Sequence, residues 1–248
     1  MKTIVLIGTA FILGAIAGWL AKTGEANLFY THYVPVFLTL LATYFGAKFA
    51  FDLQLDREKH EQKVKDIVSG NLAIFKLSDM LNSLMSYRDQ TIDPVRDRPT
   101  LFLEMNATIP HVREHISIDL DSLSFLLRTD NKNILGEVAR AVSKFNNAFA
   151  SIDERSRVHR HEAQPLLAKA DFVAGGLYSV EEIIVILGDP LYAILSNATD
   201  QVIDHVDSTI DSIGATATKL TSSLKEQFPN DQIISILPQS KQSGLAPI

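Results

Sequence analysis

The sequence predicts an all-α membrane protein: an N-terminal two-helix transmembrane hairpin, then a cytoplasmic helical bundle with a long C-terminal amphipathic helix. Three observations support this prediction. Two apolar segments with a short polar loop between them lie within residues 1–52. Apolar residues recur at helical spacing through much of residues 53–228, most regularly in the last third. Residues 229–248 are rich in Gln, Ser and Pro and are expected to form a flexible tail.

The two apolar segments have the length of membrane-spanning helices. Residues 3–21 carry no charge between Lys2 and Lys22, and as a helix they would extend roughly 28 Å, close to the hydrocarbon thickness of a bilayer. Residues 33–51 hold one charge, Lys48, near the end, where a lysine can extend to the headgroups. A cleaved signal peptide is the alternative for the first segment. The second segment would then still anchor the chain.

The distribution of basic residues predicts the orientation. The loop between the spans has one lysine, which Glu25 offsets, whereas four basic residues follow the second span closely: Arg57, Lys59, Lys63 and Lys65. Both termini are therefore expected in the cytoplasm and the loop outside, in a bacterial inner membrane. The residues expected at the membrane interface are basic or aromatic: Lys2, Trp19, Lys22, Tyr30, Tyr33 and Lys48.

Each predicted span carries small residues four positions apart, which therefore share one helix face. They are Ala10, Gly14 and Gly18 in the first span, and Ala42, Gly46 and Ala50 in the second. Small side chains let helix backbones approach each other closely. Two partners are open for these faces: the other span of the same chain, or a span of another copy.

Composition excludes several kinds of site. The chain has 248 residues, with 23 basic and 29 acidic residues and a net charge of −6, which argues against direct contact with nucleic acid. It has no cysteine, so disulfides, cysteine-ligated metals and thiol catalysis are excluded. No glycine-rich phosphate loop or serine nucleophile elbow occurs. We therefore predict no enzyme activity and no cofactor.

Residues 52–88 are expected to continue the second span as one helix, on the order of 80 Å long in total. Gly70 is its one helix-breaking residue, and the charged stretch 56–66 predicts a solvated face. Its expected apolar stripe is Val64, Ile67, Val68, Asn71, Phe75, Ser78, Leu81 and Met85, with Leu72 and Leu84 beside it. Two prolines and several charges make residues 89–99 a predicted linker.

The next segments are shorter. Residues 101–105 and 116–120 fit either a small hairpin or helical turns. Asn133 is expected to cap a helix that runs to about Arg160, with Pro165 beyond its end.

Two helix-start signals precede the strongest periodic pattern. Ser179 and Glu182 have the spacing of a capping box, and Asp189 with Pro190 is expected to cap and restart a helix. The apolar seam that follows is Leu191, Leu195, Ala198, Val202, Val206, Ile210, Ile213, Ala217, Leu220 and Leu224. It packs either on the preceding helices or on a copy of itself.

One short pattern suggests metal chemistry. His111, Glu114 and His115 match the H-x-x-E-H arrangement of inverted zinc peptidases, in which two histidines hold zinc and the glutamate activates water. Pro110 directly precedes the pattern, and no third ligand stands at a recognisable spacing. Two surface histidines near a bend are therefore preferred, and no metal site is predicted.

A second group of histidines is explained by surface pairing. His159 and His161 flank Arg160, and acidic neighbours on the helix surface account for them better than catalysis.

Parts of the chain resemble a known class of proteins. The resemblance depends on the predicted hairpin, the long helix after it, and three short stretches: residues 120–127, residues 134–137 and the region from Arg155 to His161. The layout resembles the small two-span bacterial membrane proteins of anti-phage modules, including retron-associated transmembrane effectors. This resemblance implies an effector that a partner holds inactive and that damages the inner membrane once released.

The leading functional prediction is accordingly a non-enzymatic inner-membrane protein that forms a homo-oligomer or binds a helical protein partner, and that perturbs the lipid bilayer. A membrane-anchored scaffold or signalling subunit is the alternative. The zinc peptidase is a third hypothesis.

Overall fold

The computed structural model describes residues 14, 18, 31, 34–109, 117–128, 131–173, 176 and 178–235. Within these ranges the chain is helical or irregular and contains no strand, which confirms the all-α prediction. The chain divides into two compact units, Met1–Lys63 and Val64–Ile248.

The described part of the chain contains the following helical elements in order. They are α1 (Val34–Tyr87), a π-helical turn (Arg88–Ile92), α2 (Leu101–Glu104), a 3-10 helix (Asp121–Arg128), α3 (Ile134–Val158), a second π-helical turn (His159–Ala163), α4 (Gln164–Lys169), α5 (Val180–Leu187) and α6 (Asp189–Gln227). The second predicted span and the segment after it thus form one helix of 54 residues. The first predicted span falls outside the described residues except for Gly14 and Gly18, so the hairpin itself is not shown.

The main core of the second unit lies between the second half of α1, α3 and α6. The predicted seam on α6 is buried there from Val202 to Leu224, while Leu191 and Ala198 are half-buried. Of its two predicted partners, the helices of the same chain are the ones observed. A smaller core joins α2, α4, α5 and the start of α6, with Phe102 and Leu195 among its members.

The buried face of α1 differs from the predicted stripe. The buried residues are Gly70, Ala73, Ile74, Leu77, Met80, Leu81, Leu84 and Tyr87. Val64, Val68 and Phe75 are instead exposed, as is Leu72. The reason is close packing against α6, because a Cβ at Gly70 would stand only 2.7 Å from a methyl carbon of Leu224. The buried face therefore has small residues, Gly70 and Ala73, where α6 comes close, and larger apolar residues from Ile74 onward.

The middle segments correct or refine several predictions. Residues 101–104 form the short helix α2, whereas residues 117–119 are irregular, so the hairpin alternative is wrong for the described part. The helix after Asn133 continues through the π-helical turn into α4, and Pro165 lies in the first turn of α4. The wider π-helical turn precedes the proline, which has no N–H to offer.

The end of the predicted linker is tied to α6. The Arg96 guanidinium donates to both carboxylate oxygens of Asp207, at 2.9 and 3.3 Å. A second ion pair joins Lys219 on α6 to Glu137 on α3 at 2.9 Å. Both pairs are partly exposed and hold elements that the core already packs together.

The two predicted helix starts near residue 180 have different outcomes. The capping box is confirmed, since Ser179 accepts from the Glu182 N–H and the Glu182 carboxylate accepts from the Ser179 N–H. The next cap is Gly188 rather than Asp189. Gly188 has φ +78°, a left-handed conformation that favours glycine, and α5 and α6 meet there at 110°. Asp189 is therefore the first helical residue.

Candidate functional site

The N-terminal half of α1 exposes its large apolar side chains on all sides. They are Val36, Phe37, Leu38, Leu40, Tyr44, Phe45, Phe49, Phe51, Leu53 and Leu55. The most apolar window of this helix has a mean hydropathy of 1.5, and none of it is buried. Within the described residues, this is the one continuous helix long and apolar enough to cross a membrane.

Polar groups in this apolar half are satisfied within the helix. The Thr39 hydroxyl donates to the Pro35 carbonyl, and the Thr43 hydroxyl donates to the Thr39 carbonyl, each at 2.8 Å. Pro35 lies in the first turn, where a missing N–H removes no hydrogen bond. These two threonine hydroxyls are therefore not left as unpaired donors toward hydrocarbon.

The small residues predicted for helix packing are open on α1. Ala42, Gly46 and Ala50 are all exposed, and a Cβ added at Gly46 would meet no neighbouring atom within 4 Å. Gly14 and Gly18 are also helical and exposed, with the same open surroundings. Ala10 lies outside the described residues. The described small residues are therefore available to a partner helix.

The predicted interface residues are described only in part. Lys48 is exposed on α1, about two turns before the charged stretch 56–66 begins. The remaining five lie outside the described residues: Lys2, Trp19, Lys22, Tyr30 and Tyr33. The stretch after the apolar half has the predicted solvated face, with Arg57 donating to Glu61 at 2.9 Å across one helical turn.

A cluster of polar side chains that the pattern analysis missed is buried between the two cores of the second unit. At its centre is Arg155 on α3, which is 0% exposed. Its Nε donates to the Thr199 hydroxyl at 3.3 Å, and one Nη donates to the Phe102 carbonyl at 2.8 Å. The other Nη has no partner among the described residues, and no described carboxylate pairs with the charge. Burial accordingly lowers the pKa of Arg155 to about 10.

His159 lies one turn further along and is also buried, contrary to the predicted surface pairing. Its Nε2 lies 3.1 Å from the Leu103 carbonyl, and because a carbonyl only accepts, Nε2 carries the proton. Burial, together with the positive charge of Arg155, lowers the pKa of His159 to about 4. The imidazole is therefore neutral at physiological pH, and Nδ1 has no partner among the described residues.

Two further residues complete the buried polar cluster, which we define as Tyr87, Arg155, Ser156, His159 and Thr199. Burial raises the pKa of Tyr87 to about 12, and its hydroxyl has no described partner. The Ser156 hydroxyl accepts from the Thr108 N–H at 3.2 Å. The cluster thus joins α3 to α6, to α2 and to the segment after α2. The hydrogen bonds of this cluster set the relative positions of the helices that they join. Because the cluster is buried, neither solvent nor a substrate reaches its titratable groups.

The spacing on α3 contains the signal that identifies these residues. Phe145, Phe149 and Ile152 form the buried stripe, and the next positions on that face are residues 155, 156 and 159. Their polar character is typical of a surface, so the spacing of apolar residues alone does not mark them as buried.

The metal hypothesis receives no support from the described residues. His111, Glu114 and His115 lie outside them, and the described part contains no group of three metal-ligating side chains.

Comparison of the chain with protein-family models, with curated proteins and with solved structures finds no match. The functional argument therefore depends on the geometry above.

Proposed function

We propose that this chain is an integral membrane protein of the bacterial inner membrane, with both termini in the cytoplasm. The observation that carries this proposal is the fully exposed apolar half of α1. Ten large apolar side chains in water would cost on the order of 10 kcal/mol or more. Transfer into lipid removes that cost. The basic residues that follow support the orientation.

We further propose that copies of the chain associate in the bilayer through the face of Ala42, Gly46 and Ala50, and that the assembly perturbs the membrane after a partner releases it. Support comes from the open surroundings of Gly46, where two helix backbones can approach. The proposed activity is non-enzymatic, because association and insertion need no bond-making residue.

The test is expression of the chain alone in bacteria while a potential-sensitive dye reports the inner-membrane potential. Gly46→Leu, alone and with Gly14→Leu, places a large side chain on the proposed contact face. Ala47→Leu is the matched control, since Ala47 is equally exposed on a different face of the same helix.

The expected result is loss of potential and of growth with the parent chain and with the Ala47 variant, and protection with the Gly46 variants at equal membrane content. Unchanged potential with the parent chain would refute the effector proposal and favour a membrane-anchored scaffold. Recovery of the intact chain from the soluble fraction would refute the membrane proposal itself.

A further inference from the structure

An apolar strip on the second unit faces solvent within the described part of the chain. It consists of Val64, Val68, Leu72 and Phe75 on α1, which are 46%, 59%, 51% and 63% exposed. These positions lie on one side of the helix over about three turns. The same side becomes polar further along, at Asp79 and Asn82. The apolar strip therefore has a defined end and does not continue as a long seam.

Asn71 borders this strip and binds the segment that follows α6. Its side-chain Nδ2 donates to the Gln232 carbonyl at 3.1 Å, and its Oδ1 accepts from the Ile234 N–H at 3.1 Å. Because both ends of one amide bind backbone groups two residues apart, this segment is tied to the helix at two points. Asn71 is three residues after Val68 and four before Phe75, so it neighbours both on the helix surface, at one edge of the strip, and the bound backbone runs beside the apolar strip.

We propose that residues 236–239 of this same chain dock on the apolar strip, continuing the segment that Asn71 holds. The residues directly after the described part are Ile236, Leu237 and Pro238. Their apolar side chains match the strip, and the prolyl ring restricts the backbone that would otherwise lose entropy on docking. Ile234 is 43% exposed, so the apolar character of the segment begins before residue 236.

The distances allow this contact in either direction along α1. Two or three residues beyond Ile234 reach roughly 7–10 Å. Along the helix axis, Val68 lies about 4.5 Å and Phe75 about 6 Å from Asn71. Ile236 and Leu237 are therefore within chain-length reach of the strip.

The chain's own residues 236–239 are favoured over a second copy as the occupant of the strip, because they are already tethered beside it. A segment fixed two residues away has an effective concentration in about the millimolar range, which a second copy in solution does not approach. A second copy would also have to pack around the backbone that Asn71 holds. The proposal concerns the second unit alone and does not depend on the membrane assignment.

The test uses pairs of introduced cysteines in the full chain, which has none of its own. Val68→Cys with Leu237→Cys places one thiol on the strip and one on the docking segment. Two controls each move one thiol away from the proposed contact: Asn82→Cys with Leu237→Cys, about four turns further along α1, and Val68→Cys with Ser243→Cys, six residues further along the tail. Disulfide formation under mild oxidation is followed by mobility on non-reducing gels, after circular dichroism shows equal helicity.

The expected result is an intramolecular disulfide in the first pair that forms at least about tenfold faster than in either control. Adding Asn71→Ala to the first pair is expected to abolish this advantage, whereas Asn82→Ala is not. Equal rates in all three pairs would overturn the proposal. A disulfide between copies would also overturn it and would assign the strip to a second molecule.

Discussion

Replacing Arg155 by methionine tests whether the charge in the buried polar cluster lacks a carboxylate partner. The substitution has two opposing effects of comparable size on the free energy of unfolding: it removes a buried charge, and it removes hydrogen bonds. The substitution removes a buried charge that has no described carboxylate partner. Burial lowers the pKa of Arg155 from 12.5 to about 10. A shift of that size corresponds to about 3 kcal/mol of unfavourable desolvation in the folded state.

The opposing effect is the loss of the hydrogen bonds that Arg155 donates. Methionine leaves the buried Phe102 carbonyl without a donor, at a cost of about 1–3 kcal/mol. The Thr199 hydroxyl keeps its own bond to the Leu195 carbonyl, so its loss is small. Methionine also fills most of the volume of the arginine stem. Arg155→Met is therefore expected to be neutral or to stabilise by about 1 kcal/mol.

Arg155→Ala has the same electrostatic gain but leaves a void. A cavity of this kind costs about 2–5 kcal/mol, so the alanine variant is expected to be clearly less stable than the methionine variant. The exposed Arg157, which pairs with Glu154 and Glu162, provides the control on the same helix. Its methionine variant is expected to change stability little, because exposed ion pairs contribute little.

The measurement is urea unfolding of the full chain in non-ionic detergent, with helix content as the monitored signal. A second readout is the pKa of His159 by NMR, which should rise from about 4 in Arg155→Met because one of its two causes is removed. If Arg155→Met destabilised by about 3 kcal/mol or more, the reasoning would be refuted. That loss is typical of breaking a buried ion pair, and it would mean that the charge has a carboxylate partner.

The remaining predictions concern single positions. The pKa of His159 is about 4 in the folded state and 6.5 in the unfolded state, so the unfolded state binds the proton first as pH falls. The free energy of unfolding is therefore expected to be constant above pH 6.5 and to decline by about 3 kcal/mol toward pH 4. Urea titrations at several pH values measure this decline, and His159→Gln is expected to remove it. Gly70→Ala is expected to destabilise by about 1 kcal/mol, with partial rescue by Leu224→Ala in a double-mutant cycle, since its Cβ would overlap that leucine. Gly136→Ala, at an exposed helical position with open surroundings, is expected to stabilise by up to about 1 kcal/mol in thermal melts, and a loss there would contradict the argument. Gly188→Ala is expected to cost about 1–2 kcal/mol because φ is +78°; an unchanged melting temperature would show that the bend tolerates a side chain.

Long-period patterns were sufficient to identify the helical class and the main packing seam. On α6 the three-and-four spacing from Val202 to Leu224 corresponds to buried positions, because a helix packed on two others must bury one continuous stripe. The capping box at Ser179 was also predictable, since both of its hydrogen bonds lie within four residues of sequence.

The face of α1 and the polar cluster could not be predicted in this way. The apolar residues of α1 occupy two adjacent sides of the helix, and periodicity does not say which side meets α6. Packing selects the side with Gly70, where the Leu224 side chain of α6 comes close, and leaves Val68 and Phe75 outside. Arg155 and His159 are charged or titratable types that a pattern assigns to the surface.

The local order of residues thus specifies the long helical segments, the capping box at Ser179, and that one stretch of α1 suits lipid better than water. These properties depend on interactions within a few residues and on side-chain transfer energies. Three other features depend on partners far away along the chain. They are the burial of Arg155, the exposure of the strip at Phe75, and the hydrogen bonds from Asn71 to Gln232 and Ile234. Such contacts exist only once the helices have packed, because packing alone determines which side chains lose their water.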